Sequence, residues 1–336
     1  MKIGILTLPL QDNYGGLLQN FALQKILQKM GYDVVTIDYM KVPIPPLWRY
    51  VKSWIKTLLL RCIGKHRKFL KYSHAGERNL RNEKFLSLHT NKTKTYFTYN
   101  TEILKQNKID TLVVGSDQVW RPKYNYRIGN AFLDFCKDQC NLKRIAYGAS
   151  FGVDEWEFSI RQTKKCAMLA KKFDAISVRE ESGVKLCKDN LGVKASWVLD
   201  PTLLLDKEVY CDICKDVPVQ HENFLAAYIL DKNETVFTQC QTTASERGLA
   251  LKFFEADSKA SLTLPEWIAM FRDASYVVTD SFHGTVFSII FGKEFKCFYN
   301  KDRGAARFES LLNLYNSGNL EKKREYSIKW LKKNLI

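Results

Sequence analysis

The chain consists of short apolar runs that each end in Gly, Asp, Arg or Pro and lead into a polar loop or a helical stretch. An apolar run at residues 3–8 is followed by a polar loop, a leucine-rich helical run that stops near Gly31, and a second apolar run at 34–37. A β-α-β unit of this kind builds a parallel sheet, whose strands are apolar throughout because both faces are covered. The same pattern predicts strands at residues 111–114, 144–147, 175–178, 198–199, 223–230, 249–254, 276–279 and 295–298.

The length of the chain indicates two domains, because 336 residues exceed what one hydrophobic core usually serves. Residues 207–222 are polar and irregular, which is typical of a linker. We therefore predict an α/β fold with one Rossmann-like domain over residues 1–206 and a second over 207–336. The basic amphipathic segment 320–336 is predicted to form a helix that returns to the first domain.

Composition favours a cytoplasmic protein. The apolar start of the chain is interrupted by Pro9 and Asp12, too early for a signal peptide, and no run of about 18 apolar residues suits a membrane span. The nine cysteines are then expected to be reduced thiols. Cys211 and Cys214 have a spacing that suits zinc or redox chemistry, but no second pair accompanies them, so we predict no metal site.

The net charge of +16 is concentrated in one segment. Residues 41–71 contain nine basic residues and no acidic one, interleaved with Trp, Tyr, Leu and Phe. Such a segment either lies against anionic lipid headgroups or forms a solvated helix whose apolar stripe packs on the domain. Nucleic-acid binding is disfavoured because none of its usual motifs is present, and positive charge also suits phosphate-bearing substrates.

The strongest candidate site follows the apolar run at 276–279. Asp280, Ser281 and His283 come at the end of this predicted strand, and Gly284 then opens an apolar helix. An imidazole can transfer a proton near neutral pH, and the amino end of a helix favours a bound anion. The other four histidines lie in basic or polar stretches: His66, His74, His89 and His221.

Two further strand ends carry polar residues where open α/β sheets bind ligands. Ser116 and Asp117 follow an apolar run and Gly115, and Asp117 either caps a helix or hydrogen-bonds a sugar hydroxyl. Trp120 either stacks on a sugar or closes the core. The loop at Gly15 and Gly16 can turn its amides toward an anion.

Cations are available on both sides of the predicted linker. Arg179 stands at the mouth of a strand, where a guanidinium can grip phosphate or carboxylate, or can pair with Glu180 or Glu181 on the surface. Lys301, Arg303 and Arg307 belong to a stretch that we predict to be a flexible loop suited to phosphate.

Six segments resemble the polysaccharide pyruvyl transferase family, and they occur in the family's order over about residues 13–310. The segments are NYGGLLQNFALQ from Asn13, VVGSDQVW from Val113, YGASFG from Tyr147, ISVREESG from Ile176, LDPTLLL from Leu199 and TDSFHGTVFSIIFGKEF from Thr279. The resemblance implies a fold like the GT-B glycosyltransferases, with an active cleft between the two domains. It also implies transfer of a pyruvyl unit from phosphoenolpyruvate to two hydroxyls of a sugar, without a metal or nucleotide cofactor.

The resemblance assigns roles to individual residues. It implies that His283 is the catalytic histidine, that Arg179 grips phosphate, and that Arg303 or Lys301 supplies a further cation. The other residues expected to contact substrate are Asn13, Tyr14, Gly15, Ser116, Asp117, Asp280, Ser281 and Arg307. Several relatives carry an arginine, an apolar residue and the histidine in succession, whereas position 281 is serine here. Either Arg303 or Arg307 substitutes for that arginine, or this branch uses a different donor.

Two other functions are compatible with the sequence. One is a glycosyltransferase that uses a nucleotide sugar on the same two-domain fold, and the other is a non-catalytic protein that binds glycans or docks on a membrane. The basic segment 41–71 fits an enzyme whose acceptor is a lipid-linked sugar at the inner membrane face, which would make the protein peripheral there.

Overall fold

The computed structural model describes residues 1–10, 13–40, 47–62, 80–125, 127–231, 234–254, 262–299 and 304–336. Within these ranges the strands form two sheets, and every strand pair is parallel. The first sheet contains β1 (Lys2–Leu6), β2 (Asp33–Thr36), β3 (Thr111–Val114), β4 (Lys143–Ala149), β5 (Ala175–Val178) and β6 (Ser196–Trp197). The second contains β7 (Phe224–Tyr228), β8 (Ala250–Phe254), β9 (Tyr276–Thr279) and β10 (Glu294–Cys297).

Helices connect these strands and cover the sheets. In the first half of the chain they are α1 (Tyr14–Lys29), α2 (Leu47–Cys62), α3 (Leu80–His89), α4 (Glu102–Asn107), α5 (Ile128–Ala131), α6 (Ile160–Ala170) and α7 (Glu181–Leu186). In the second half they are α8 (Lys207–Ile213), α9 (Glu234–Glu246), α10 (Leu264–Asp273), α11 (Phe282–Ile290), α12 (Ala305–Asn316) and α13 (Leu320–Leu335). Among the residues that the structure describes, no helix is long and apolar enough to cross a bilayer.

Both sheets have the same topological switch. The strand order is β2-β1-β3-β4-β5-β6 in the first sheet and β8-β7-β9-β10 in the second. In each sheet the chain moves to one side of its first strand and then to the other, so the loops after the two central strands diverge and leave a crevice at the carboxyl edge. The predicted fold is confirmed: two Rossmann-like units form a GT-B-like molecule with a cleft between them.

The segment predicted as a linker is partly helical. α8 occupies its first half, and Tyr210 and Ile213 on one face of this helix are buried in the core. The irregular connection between the two sheets is therefore shorter than predicted. The strand predicted at 198–199 is also displaced, because β6 ends at Trp197.

An apolar cluster joins the two halves of the molecule. The ring of Tyr14 lies 5.5 Å from that of Trp267, and its hydroxyl donates a hydrogen bond to the carbonyl of Leu262 at 2.7 Å. Tyr14 was expected to contact substrate, but the structure buries it in this junction because its ring completes the apolar contact between α1 and α10.

The carboxyl-terminal helix α13 packs against the first sheet. The amide of Leu199 donates a hydrogen bond to Ser327 Oγ at 2.9 Å, and the ring of Trp330 lies 6.0 Å from that of Tyr147. Leu331 is fully buried beside them in the main core. The last helix of the chain thus contributes to the stability of the first half.

Replacing Leu331 with alanine should lower the free energy of unfolding by about 3 kcal/mol, because the lost methyl groups leave a cavity in a packed core. The measurement is urea unfolding followed by circular dichroism. Lys329→Ala on the exposed face of the same helix is the control and should change stability by less than about 0.5 kcal/mol. Equal effects of the two substitutions would contradict this account of α13.

Candidate active site

The two crevices meet in one cleft of about 640 Å³. Its first wall consists of the loop after β1, the start of α1 and the loop after β3, and its second wall of the loops after β7 and β9 and the start of α12. The lining residues are Thr7, Leu8, Pro9, Asn13, Gly15, Gly16, Gln19, Asp117, Gln118, Tyr124, Tyr228, Leu230, Asp280, Ser281, Phe282, His283, Arg307 and Phe308. The chemistry available in the cleft is therefore supplied by both domains.

The start of α1 brings the first domain against His283. Asn13 caps this helix, since its Oδ1 accepts a hydrogen bond from the Gly16 amide at 3.2 Å. A Cβ placed on Gly15 would lie only 2.0 Å from Nδ1 of His283. Position 15 must therefore be glycine for the imidazole to lie where it does. The backbone of Gly15 approaches the His283 ring more closely than an anion-binding turn alone would require.

The start of α11 brings the second domain to the same point. Ser281 caps this helix through a hydrogen bond from the Gly284 amide to its Oγ at 3.3 Å, and His283 is the second helical residue. The Asp280 carboxylate accepts hydrogen bonds from the amides of Leu230 and Asp231, both at 2.7 Å. Asp280 thus ties the loop after β9 to the loop after β7 and holds His283 at the cleft.

Asp200 is the functional residue that sequence reasoning missed. Its carboxylate is fully buried, and Oδ2 lies 3.8 Å from Nε2 of His283 and 2.6 Å from Nη1 of Arg179. The hydroxyl of Ser116 donates a hydrogen bond to the same oxygen at 3.2 Å. The sequence signal that could have identified Asp200 is its position three residues beyond β6, at the edge of the sheet where ligands bind.

The electrostatic state of Asp200 follows from these neighbours. Burial alone would raise the pKa of this carboxyl group, but His283 and Arg179 outweigh burial and hold the pKa well below its usual range. Asp200 is therefore an anion in the folded protein. This anion faces Nε2 of His283 at 3.8 Å.

Arg179 lies beneath the cleft and is not exposed in it. Its side chain is fully buried between the carboxylates of Asp200 and Asp117, with Nη2 3.3 Å from Asp117 Oδ1. Burial lowers the pKa of Arg179, but these carboxylates more than reverse the effect and raise it. The surface pairing with Glu180 does not occur, because Glu180 instead accepts hydrogen bonds from the amides of Phe151 and Gly152. Direct contact between Arg179 and a substrate requires its buried side chain to become exposed.

Asp117 lines the cleft in a strained conformation. Its φ angle is +72°, which is unusual for a residue other than glycine. Four hydrogen bonds hold this conformation. The amides of Val119 and Ser150 donate to the Asp117 carbonyl at 2.8 and 3.1 Å, and the Gln118 amide and Arg179 donate to its Oδ1 at 2.8 and 3.3 Å. Strain that the surroundings enforce is common at functional sites. Ser116 beside it is fully buried and reaches Asp200 instead of the cleft.

Arg307 is the cation that lines the cleft. It lies in α12, not in the flexible loop that we predicted, and its guanidinium carbon is 5.1 Å from the ring centroid of Phe282. Arg179 approaches the same ring at 5.0 Å. Burial, and after it the charge of Arg179, lowers the pKa of Arg307 to about 10, so it stays charged at neutral pH. Lys301 and Arg303 lie outside the described residues.

The aromatic candidate Trp120 and the cysteine pair Cys211 and Cys214 do not line the cleft. Trp120 is fully buried, stacks on Phe132 at 4.6 Å and donates its indole N–H to the Ala131 carbonyl, so it closes the core. Cys211 and Cys214 are free thiols, and burial raises the pKa of Cys214. In the ranges that the structure describes, no group of three or more potential ligands that could hold a metal is found.

Comparison with known proteins gives one family and several distant structural likenesses. The family model of polysaccharide pyruvyl transferase matches residues 13–302. A UDP-GlcNAc 2-epimerase from Neisseria meningitidis, solved with UDP-GlcNAc, is 11% identical over 100% of this chain and 99% of its own, with a TM-score of 0.47. The UDP-N-acetylglucosamine 2-epimerase of Rickettsia bellii is 9% identical over 100% of this chain and 96% of its own, with a TM-score of 0.49. The ADP-heptose heptosyltransferase II of E. coli is 9% identical over 99% of this chain and 100% of its own, with a TM-score of 0.38. No curated protein matches the chain.

Gly15→Ala should displace the His283 imidazole, because the new methyl group and the ring cannot occupy the same space. The expected result is a changed set of ring-nitrogen signals for one of the five histidines in ¹⁵N NMR spectra. Gly16→Ala is the matched control, since a Cβ there meets its nearest neighbour at an ordinary 3.5 Å. Unchanged histidine signals in Gly15→Ala would refute the close approach.

Asp200→Asn should lower the free energy of unfolding by about 3–5 kcal/mol at pH 7, because it leaves Arg179 buried with one partner fewer. The control is Asp206→Asn, which removes a surface pairing with Arg324 and should cost less than about 1 kcal/mol. The measurement is urea unfolding of both variants and the wild type. Similar losses in the two variants would contradict a special role for Asp200.

The difference in unfolding free energy between the wild type and Asp200→Asn should also depend on pH. Because the pKa of Asp200 is depressed by folding, its stabilising contribution is present above the unfolded pKa of about 3.9 and is lost as the pH falls below it. The stability difference between the wild type and Asp200→Asn should therefore shrink as the pH is lowered from 7 toward 3. A difference that grows toward acid pH would show that the buried group is not the carboxylate.

Proposed function

Because the chain belongs to the polysaccharide pyruvyl transferase family, we propose that it transfers the pyruvyl unit of phosphoenolpyruvate to a sugar of a cell-surface or exopolysaccharide precursor and forms a pyruvate ketal. The observation that carries this proposal is the His283–Asp200 pair beside the guanidinium of Arg307 in a cleft between two domains. This arrangement combines a group that can donate a proton with a cation that suits an anionic donor.

The phosphate and carboxylate of the donor need positive potential. Arg307 lines the cleft, and the amino ends of α1 and α11 open into it, where backbone amides and the helix dipoles favour anions. Arg179, buried next to Arg307, adds charge from below. In this proposal Arg307 supplies from α12 the guanidinium that several relatives carry at the position of Ser281.

The proposed reaction uses one proton donor and two hydroxyl groups of the sugar. His283 donates a proton to the methylene carbon of phosphoenolpyruvate, and the neighbouring carbon becomes electron-poor. One sugar hydroxyl forms a bond to that carbon, and Asp117 accepts the proton that this hydroxyl loses. The bond between this carbon and the phosphate oxygen then breaks, while a second hydroxyl of the sugar bonds to the carbon and returns a proton to His283. Asp117 passes its proton to the departing phosphate, so that the products are the ketal and hydrogen phosphate.

The buried charges give the protein two ways to accelerate these steps. Asp200 places a negative charge 3.8 Å from Nε2 of His283, and Asp280 holds the loop that carries the imidazole. Most of the acceleration would come from positioning and from preorganised charge in a cleft partly shielded from water. No metal or nucleotide cofactor takes part in the proposed scheme.

The test is incubation of the purified protein with phosphoenolpyruvate and a panel of candidate glycans, with phosphate release and the ketal methyl signal in NMR as readouts. His283→Asn should lower kcat by about 10²- to 10⁴-fold, the usual contribution of a positioned proton donor. His221→Asn, at an exposed histidine, is the matched control and should keep full activity.

Three outcomes would contradict the proposal. Full activity of His283→Asn would remove the histidine from the mechanism. Stabilisation in thermal shift by UDP- or GDP-sugars but not by phosphoenolpyruvate would favour a nucleotide-sugar glycosyltransferase. Glycan binding without any turnover, unaffected by changes at His283 and Arg179, would indicate a non-catalytic binding protein.

A further inference from the structure

The helix α2 exposes its apolar side. Five apolar residues at helical spacing, which we call the apolar stripe, are between 44% and 64% exposed: Val51, Trp54, Ile55, Leu58 and Leu59. Intervals of three and four residues place these side chains on one face of the helix. Large apolar residues grouped on one exposed face mark a surface that binds something apolar.

The opposite side of α2 is the more buried one. Thr57 is fully buried, and Ser53 and Leu60, one helical turn away on either side, are half-buried. A helix that packs on a core normally buries its apolar stripe and exposes its polar residues. α2 has the reverse orientation, so the sequence-based alternative of an apolar stripe packed on the domain is wrong for residues 47–62.

The charge of α2 indicates what the apolar stripe contacts. The helix contains four basic residues and no acidic one. Lys52 and Lys56 are exposed along one edge of the apolar stripe, and Arg61 is exposed beyond its other edge. An apolar face bordered by cations is complementary to a surface that is apolar inside and negatively charged outside, which describes an anionic lipid bilayer.

The place of α2 in the fold is compatible with this contact. The segment that carries α2 follows β2, whose carboxyl end lies at the same sheet edge as that of β1 because the two strands are parallel. The loop after β1 lines the cleft. The chain therefore leaves β2 toward α2 at the edge of the sheet where the cleft opens.

We propose that α2 binds the surface of an anionic bilayer, with its apolar stripe below the headgroups and Lys52 and Lys56 among the phosphates. The helix is too polar to span the membrane, so it lies parallel to the surface. This proposal stands on α2 alone. If the proposed function holds, a bilayer at the cleft edge also presents a lipid-linked acceptor to the site.

The test uses the whole protein and sedimentation with vesicles. Vesicles of phosphatidylcholine mixed with phosphatidylglycerol should bind the protein at low salt, with weaker binding at high salt and on pure phosphatidylcholine. Both Ile55→Ser/Leu59→Ser and Lys52→Glu/Lys56→Glu should weaken the binding by at least about tenfold.

Two double variants on or next to α6 are the matched controls, because they alter exposed residues by the same changes at another place. Ile160→Ser/Met168→Ser and Lys164→Glu/Lys171→Glu should bind the mixed vesicles as the wild type does. Circular dichroism of all variants checks that the fold is retained. Vesicle binding needs neither donor nor acceptor, so its failure and the failure of pyruvyl transfer are separate results.

Three results would overturn the proposal: no binding to mixed vesicles at low salt, equal binding to neutral and mixed vesicles, or equal loss in the controls and the α2 variants. The proposal would also be wrong if light scattering showed a dimer that Ile55→Ser/Leu59→Ser converts to a monomer, with no vesicle binding. In that case a second copy of the chain would cover the apolar stripe.

Discussion

A buried carboxylate that must be neutralised sets the geometry of this site. Asp200 sits where water cannot compensate its charge, so the fold has to bring cations and hydrogen-bond donors to it. Those groups come from different strand ends: Ser116 after β3, Arg179 after β5 and His283 after β9 in the other sheet. The same charge that binds the first domain together therefore fixes the catalytic candidate of the second.

The sequence predicted most of the strands, because a strand covered on both faces is recognisable from a local apolar run. It also predicted candidate site residues at strand ends, because open parallel sheets bind ligands at their carboxyl edge. It could not identify Asp200, whose importance depends on Ser116 and His283, both more than eighty residues away. Tyr14 and Trp120 were equally beyond local reasoning, since whether an aromatic ring faces a ligand or the core is decided by residues distant in sequence.

Arg307 shows how a chemical requirement can be met from an unexpected element. Position 281, two residues before His283, is a serine that serves as the cap of α11. A guanidinium reaches the neighbouring Phe282 ring from α12 instead. Its pKa is lowered by burial and by Arg179, yet at about 10 it still leaves the group charged at neutral pH. The cleft thus has a guanidinium although position 281 is serine.

Positive charge is handled in two opposite ways in this protein. At the cleft, Arg179 is buried and paired with carboxylates, and its charge acts within the molecule. On α2, cations lie beside exposed apolar side chains and no acidic residue of the helix accompanies them. Solvated charge needs no partner, but an exposed apolar face does, because its burial is favourable by about 25 cal/mol per Å². A surface that joins both features is complementary to a partner that is apolar and anionic together, which is why the orientation of α2 carries the proposed contact with an anionic bilayer.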